Sequence, residues 1–225
     1  MVFADRGRVL AFLSVVASIV GCSEGSGGGL PPANAVPAAA LKPPGAADCS
    51  VTLYGDSILY GTYGTTPTNR LVDPPAAAIK RLRPAYTVVD RTSPGDFVNL
   101  RLPTFRREAI ETRFVVIEHG MNDAGNRFDY AEPLRSMIRG VKAMGKTPIV
   151  TGLSRPRSGE VSTRDAYDAI ARSVAAEERV IFADWGAVPM TDADLQDELH
   201  PGQDYSHRLA EQLVSALDRA APECR

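Results

Sequence analysis

From Cys49 onward, short β-branched runs alternate with stretches whose apolar residues recur every three or four positions. Residues 50–54 (SVTLY), 86–90 (YTVVD), 113–118 (RFVVIE), 147–151 (TPIVT) and 180–184 (VIFAD) predict five strands. Residues 74–82 predict a helix, with proline tolerated in its first turn. Leu134, Ile138 and Val141 mark a helix over 130–144. Ala166, Ile170 and Val174 mark another over 163–177, and Leu209, Leu213 and Leu217 a last one over 201–220. Strands interrupted by helices predict an α/β fold, a mostly parallel five-stranded sheet with helices on both faces. Ligands of such sheets bind beyond the carboxyl ends of the strands, so the residues just after each strand are the ones to inspect.

Upstream the pattern changes. Arg6 and Arg8 precede an uncharged apolar run from Val9 to Val20, which ends in Ile19-Val20-Gly21-Cys22. Twelve residues are too few to span a bilayer comfortably and fit the apolar part of an export signal. A small residue and then Cys directly after such a run resembles the lipobox of bacterial lipoproteins. That resemblance implies a signal peptide over 1–21 and a lipid-carrying Cys22 as the first mature residue. The alternatives are a secreted protein cut near Gly21 or an uncleaved anchor. Ser23, where an Asp would suggest inner-membrane retention, favours the outer membrane. Of residues 23–47, 17 are Gly, Pro or Ala. Such a stretch has little apolar surface to bury and reads as a tether to a domain over 48–225.

The chain has 225 residues, a hydrophobic fraction of 44% and a formal net charge of −2. The balance offers no basic field, so a nucleic-acid partner is not expected. With Cys22 assigned to lipid, Cys49 and Cys224 remain at the two ends of the domain. Chain termini tend to lie close together, so a disulfide between them is expected in an oxidising compartment. A monomer is expected, with the lipid anchor as its contact with the cell envelope.

The post-strand segments hold the reactive residues. Gly55-Asp56-Ser57 follows the first strand and Ser93-Pro94-Gly95-Asp96 the second. His119-Gly120-Met121-Asn122-Asp123 follows the third, and Asp197-Glu198-Leu199-His200 lies beyond the fifth. A serine hydroxyl needs a base to take its proton as it attacks. His200 suits that task because imidazole titrates near neutrality. Asp197, three residues earlier, is placed to orient His200. The oxyanion of an acyl-transfer intermediate needs preorganised donors. The backbone N–H groups of Ser57 and Gly95 and the side-chain amide of Asn122 are the candidates. Gly95, without a Cβ, lets a substrate approach the backbone. Asp56 is expected to hold its loop, His119 to pack beside the site, and Asp123 to brace the Asn122 loop. Asp192 and Asp194 are alternative partners for His200. No metal-ligand spacing appears, and neither a metal nor a cofactor is expected.

At these residues the chain resembles the SGNH/GDSL hydrolases. GDS at 55–57, Gly95, GMND at 120–123 and DELH at 197–200 match the four blocks of that family in order. Ile58 stands where the family's name motif has Leu. The Gly-x-Ser-x-Gly elbow of α/β-hydrolases is absent around Ser57. The resemblance implies a three-layer α/β/α sandwich and cleavage of esters, thioesters or some amides. It makes Ser57 the nucleophile, His200 the base and Asp197 its orienter, with Ser57, Gly95 and Asn122 as the oxyanion hole. The expected activity is an envelope esterase acting on O-acetyl glycans or on lipid or thioester acyl groups. A non-catalytic lipoprotein binding glycan or protein, and an acyltransferase, are the other readings. Tyr60, Tyr63, Asn69 and Arg70 are expected at the entrance, and Phe97 and Met121 along the acyl pocket.

Overall fold

The structure is a computed structural model and describes residues 47–65 and 69–225. The stretches expected to be a signal peptide and a tether, with Cys22, lie outside the described residues up to residue 46. Five parallel strands form one sheet in the order β2-β1-β3-β4-β5. They are β1 (Ser50–Gly55), β2 (Thr87–Asp90), β3 (Phe114–Glu118), β4 (Thr147–Thr151) and β5 (Ile181–Ala183). Every predicted strand is present, within a residue or so at each end. All five β3 residues are buried, as a central strand covered on both faces requires.

The helices are α1 (Ser57–Tyr60), α2 (Pro75–Leu82), α3 (Val98–Phe105), α4 (Met121–Asn126), α5 (Ala131–Ala143), α6 (Arg164–Glu177) and α7 (Gln203–Ala220). α2 and α7 pack on each other, while α3, α5 and α6 pack side by side as a separate group. The sheet lies between these groups as the middle of three layers. α5 and α7 bury the apolar stripes that marked them, Leu134, Ile138 and Val141 in one and Leu209, Leu213 and Leu217 in the other. At roughly 1.5–3 kcal/mol for each fully buried side chain, such stripes supply most of what holds the layers together. α6 departs from expectation. Of its marked residues Val174 is buried, Ile170 half-buried and Ala166 exposed, and its inner face is instead Arg164, Asp168, Ala171, Val174 and Ala175.

Three short helices were not predicted. α1 and α4 are single turns that open directly after β1 and β3. α3 contains Pro103, which withholds one intrahelical hydrogen bond. It forms because Val98, Leu102 and Phe105 are buried on one side of it. Cys49 and Cys224 are joined, 175 residues apart, and tie the start of β1 to the end of the chain.

Candidate active site

The strand order reverses direction between β1 and β3, and the carboxyl ends of these two neighbours frame the site. The β1 end turns sharply into α1. Asp56 caps that helix: its Oδ1 accepts the Ile58 N–H at 2.8 Å. The buried Glu118 at the end of β3 accepts the Asp56 N–H through Oε2 at 3.1 Å. The turn thereby presents Ser57 as the first residue of α1.

His200 arrives from the other end of the chain. Leu195 and Pro201 bridge in antiparallel fashion, and Gln196 N–H donates to the His200 carbonyl at 2.9 Å. Inside this pinched loop, Asp197 Oδ1 accepts the N–H groups of Leu199 and His200, each at 2.8 Å. Asp197 Oδ2 lies 2.8 Å from His200 Nδ1, and His200 Nε2 lies 3.0 Å from Ser57 Oγ. Residues 143 positions apart in sequence thus form one hydrogen-bonded chain from hydroxyl to imidazole to carboxylate. Gly64 adds a donor not apparent from residue type: its backbone N–H reaches Asp197 Oδ2 at 2.6 Å. Burial opposes ionisation of Asp197. The N–H groups of Leu199, His200 and Gly64 and the His200 ring nevertheless hold its pKa down to about 2.

α4 carries Asn122. Gly120 precedes it at φ +131°, and a Cβ there would stand 2.8 Å from Leu153 Cδ1 and 2.9 Å from the Tyr130 hydroxyl oxygen. Only glycine makes this turn. Asn122 Nδ2 donates to the Asp96 carbonyl at 2.9 Å and, over a longer 3.2 Å, to Asp56 Oδ2. The Gly95 N–H has no acceptor among the described residues. Ser57 opens its helix, so its N–H has no acceptor within it. Space in front of Gly95 is open. Ser57, Gly95, Asn122 and His200 line one cavity of about 220 Å³, together with Thr62, Gly64, Thr65, Pro94 and Leu199.

Other expectations divide. Asp56 holds its loop, as expected, and burial raises its pKa to about 7. Asp123 also rises to about 7 through burial, and it accepts the Val98 N–H at the start of α3. His119 is fully enclosed, with Nε2 3.4 Å from Asp96 Oδ2; burial lowers its pKa despite that carboxylate. It is a packing residue, not a base for Ser57. Asp194 is bound to Thr191 and Arg208, and Asp192 lines a different cavity, so neither partners His200.

The entrance differs from expectation. Thr62, Gly64 and Thr65 line the cavity in place of Tyr60, Tyr63, Asn69 and Arg70. Arg70 instead stacks on Tyr60, 3.9 Å from the ring centroid, and pairs with Asp90. Phe97 and Met121 do not wall the cavity either. Phe97 packs on Phe128 at 4.7 Å between ring centroids, and Met121 is buried in the core. Among the described residues no group of three or more His, Cys, Asp or Glu could hold a metal ion.

Fold and site together define a serine hydrolase built on a parallel α/β sandwich. The sequence model of the GDSL-like lipase/acylhydrolase family matches residues 53–208, and the chain belongs to that family. Solved structures of similar fold include the lipase/acylhydrolase from Enterococcus faecalis. It is 23% identical with a TM-score of 0.64, over 76% of this chain and 96% of that one. TesA is also 23% identical, with a TM-score of 0.63 over 76% and 98% of the two chains. An acetylxylan esterase from Geobacillus stearothermophilus is 18% identical, with a TM-score of 0.62 over 76% and 95%. A sequence search of the curated proteins found no match.

Proposed function

We propose that the protein hydrolyses short-chain carboxylic esters through Ser57, His200 and Asp197. The observation that carries this reading is the continuous chain Ser57 Oγ–His200 Nε2–Asp197, at 3.0 and 2.8 Å. His200 Nε2 takes the Ser57 proton as Oγ bonds to the ester carbonyl carbon. Asp197 holds the ring with Nδ1 protonated and stabilises the imidazolium. The N–H groups of Ser57 and Gly95 and the Asn122 amide receive the oxyanion, the amide turning the N–H that it shares loosely with Asp56. His200 then passes its proton to the leaving alkoxide. Water, activated by the same imidazole, frees the acyl group from Ser57.

The cavity favours a small acyl group. At about 220 Å³ it lies below the range of roughly 300–1,000 Å³ typical of drug-sized ligands. Among the described residues Pro94 and Leu199 are its only large apolar side chains. A long acyl chain would find little apolar surface there, whereas an acetyl group needs little.

We further place the enzyme outside the cytoplasm, with Cys22 lipidated, residues 22–47 as tether and 48–225 as the working domain. The lipobox-like sequence and the joined Cys49 and Cys224 support that placement.

Hydrolysis of p-nitrophenyl acetate and p-nitrophenyl octanoate tests the reading. The acetate should be the better substrate by kcat/KM, and Ser57→Ala should abolish both activities. Unchanged turnover in Ser57→Ala would refute the mechanism, and a preference for octanoate would refute the short-chain reading. For the anchor, Cys22→Ser should release the protein from the membrane fraction.

A further inference from the structure

The segment that supplies Gly95 is a tight turn. Asp96 N–H donates to the Ser93 carbonyl at 3.1 Å, which closes the four residues from Ser93 to Asp96. Pro94 is the second residue of the turn and Gly95, at φ +79°, is the third. Proline fixes φ at about −65° and so excludes the mirror-image turns. A positive φ at the third residue then makes this a type II turn. Types I and II differ by a flip of the peptide between the second and third residues. Here that peptide carries the Gly95 N–H, which has no acceptor among the described residues, at the edge of the Ser57 cavity. Glycine accepts either form. The direction of this donor therefore depends on what holds the turn in one of them.

The last residue of the turn is gripped by its surroundings. Asp96 is buried, and Arg101, one turn into α3, brings both Nε and Nη2 to 2.6 Å from Asp96 Oδ2. His119 Nε2, just after β3, lies 3.4 Å from the same oxygen. Asp96 Oδ1 accepts the Phe97 N–H at 3.1 Å. Burial opposes ionisation of Asp96, but His119 and Arg101 hold its pKa below the usual carboxylate value. The main-chain carbonyl of the same residue accepts the Asn122 amide at 2.9 Å. α3 also binds the other side of the oxyanion site: its Val98 N–H donates to Asp123 Oδ1, next to Asn122, at 3.3 Å. Arg101 is steadied in turn, with Nη1 3.9 Å from Glu108 Oε1 and the guanidinium carbon 5.8 Å from the centre of the Tyr54 ring. One helix thus joins the Gly95 turn to the Asn122 loop.

We propose that Arg101 and Asp96 are positioning residues for the oxyanion hole. Arg101, acting through the Asp96 carboxylate, holds the turn in the form that offers the Gly95 N–H to the reacting carbonyl, and it fixes the Asp96 carbonyl on which Asn122 rests. Neither side chain lines the Ser57 cavity, so both act through the main chain. The proposal rests on the esterase reading and adds two residues to its machinery. Without the guanidinium, Asp96 becomes a buried charge with no cation against it, a condition relieved when the turn shifts toward water. Oxyanion donors act on the transition state more than on the bound ester, so a misaimed donor lowers kcat and leaves KM nearly unchanged.

A double-variant cycle on the full chain tests this, with p-nitrophenyl acetate as substrate and kcat expressed per folded chain from circular dichroism. Arg101→Met keeps an unbranched stem and removes the guanidinium, whereas Asp96→Asn keeps the shape and removes the charge. Arg101→Met should lower kcat by at least about tenfold, a fraction of what loss of a whole donor costs, with KM within about twofold. Arg101→Lys, which restores the charge, should recover at least about threefold of that loss. The double variant should fall no further than the poorer single one, because both substitutions break the same link. An Arg101→Met kcat within twofold of the original protein would overturn the proposal. Additive losses in the double variant would overturn it too, since the two residues would then act separately. Should Arg101→Met fail to fold, Asp96→Asn alone decides: a kcat at least about threefold lower at constant KM supports the role, and an unchanged kcat overturns it. Failure of the esterase reading looks different: the original protein itself does not turn over the ester, and the positioning role falls with it.

Discussion

Asp56 and Asp123 are buried carboxyls with no cationic partner among the described residues, and both have pKa values raised from 3.8 to about 7 by burial. The folded chain keeps these protons between about pH 4 and 7, where the unfolded chain releases them. Their contribution to stability is therefore complete below about pH 4 and lost as pH rises through 7. Asp123→Asn keeps an oxygen for the Val98 N–H and cannot ionise. Its unfolding free energy, relative to the original protein, should rise between pH 5 and pH 8; a difference that does not vary with pH would contradict the assignment. Asn122→Ala should lower kcat by about 10²–10³, the usual effect of removing one oxyanion donor. Stopped-flow or steady-state assay with p-nitrophenyl acetate reads this directly. At this scale the grouping of Ser57, Asn122, Asp197 and His200 was legible, because they are distinctive residue types in post-strand positions. The cavity wall was not. Gly64 acts through its backbone N–H, which no residue type announces, and Tyr60 and Arg70 satisfy each other instead of facing substrate.

The turn from β1 into α1 depends on close approach between two strands. A Cβ on Gly55 would stand 2.5 Å from Glu118 Oε2 and 2.7 Å from the Glu118 carbonyl oxygen. Backbone cannot yield as a flexible side chain can. Gly55→Ala should therefore destabilise the protein by about 1–3 kcal/mol, the range for overpacking a tight site. Chemical denaturation measures it, and an unchanged midpoint would mean that β1 and β3 can separate. The long elements were legible for the same reason that they are stable. β3 is apolar along most of its length because both faces are covered, and α5 and α7 carry stripes at helical spacing. α1, α3 and α4 were not, since four to eight residues hold too little periodicity to mark a helix. Pro103 in α3 and Gly125 in α4 argue locally against the state that tertiary packing imposes.

Across the whole molecule, the bond between Cys49 and Cys224 closes a loop of 175 residues. The chain-entropy model assigns such a closure about 5 kcal/mol, and native disulfides typically contribute about 2–5 kcal/mol. Replacing both cysteines with serine should lower the unfolding free energy by an amount in that range; guanidinium unfolding would show it as an earlier midpoint. This pairing was legible because the two residues bracket the domain. The strand order was not, since periodicity says which segments are strands and nothing about which strands are neighbours. That order places β1 beside β3 and so brings Ser57 to Asn122.

The chain Ser57–His200–Asp197 is the central claim, and covalent trapping tests it most directly. The purified protein would be treated with a fluorophosphonate, digested and mapped by mass spectrometry. The expected result is one adduct, on Ser57, and its disappearance in His200→Ala under the same conditions. Labelling of a different residue, or labelling of Ser57 at an unchanged rate without His200, would contradict the account.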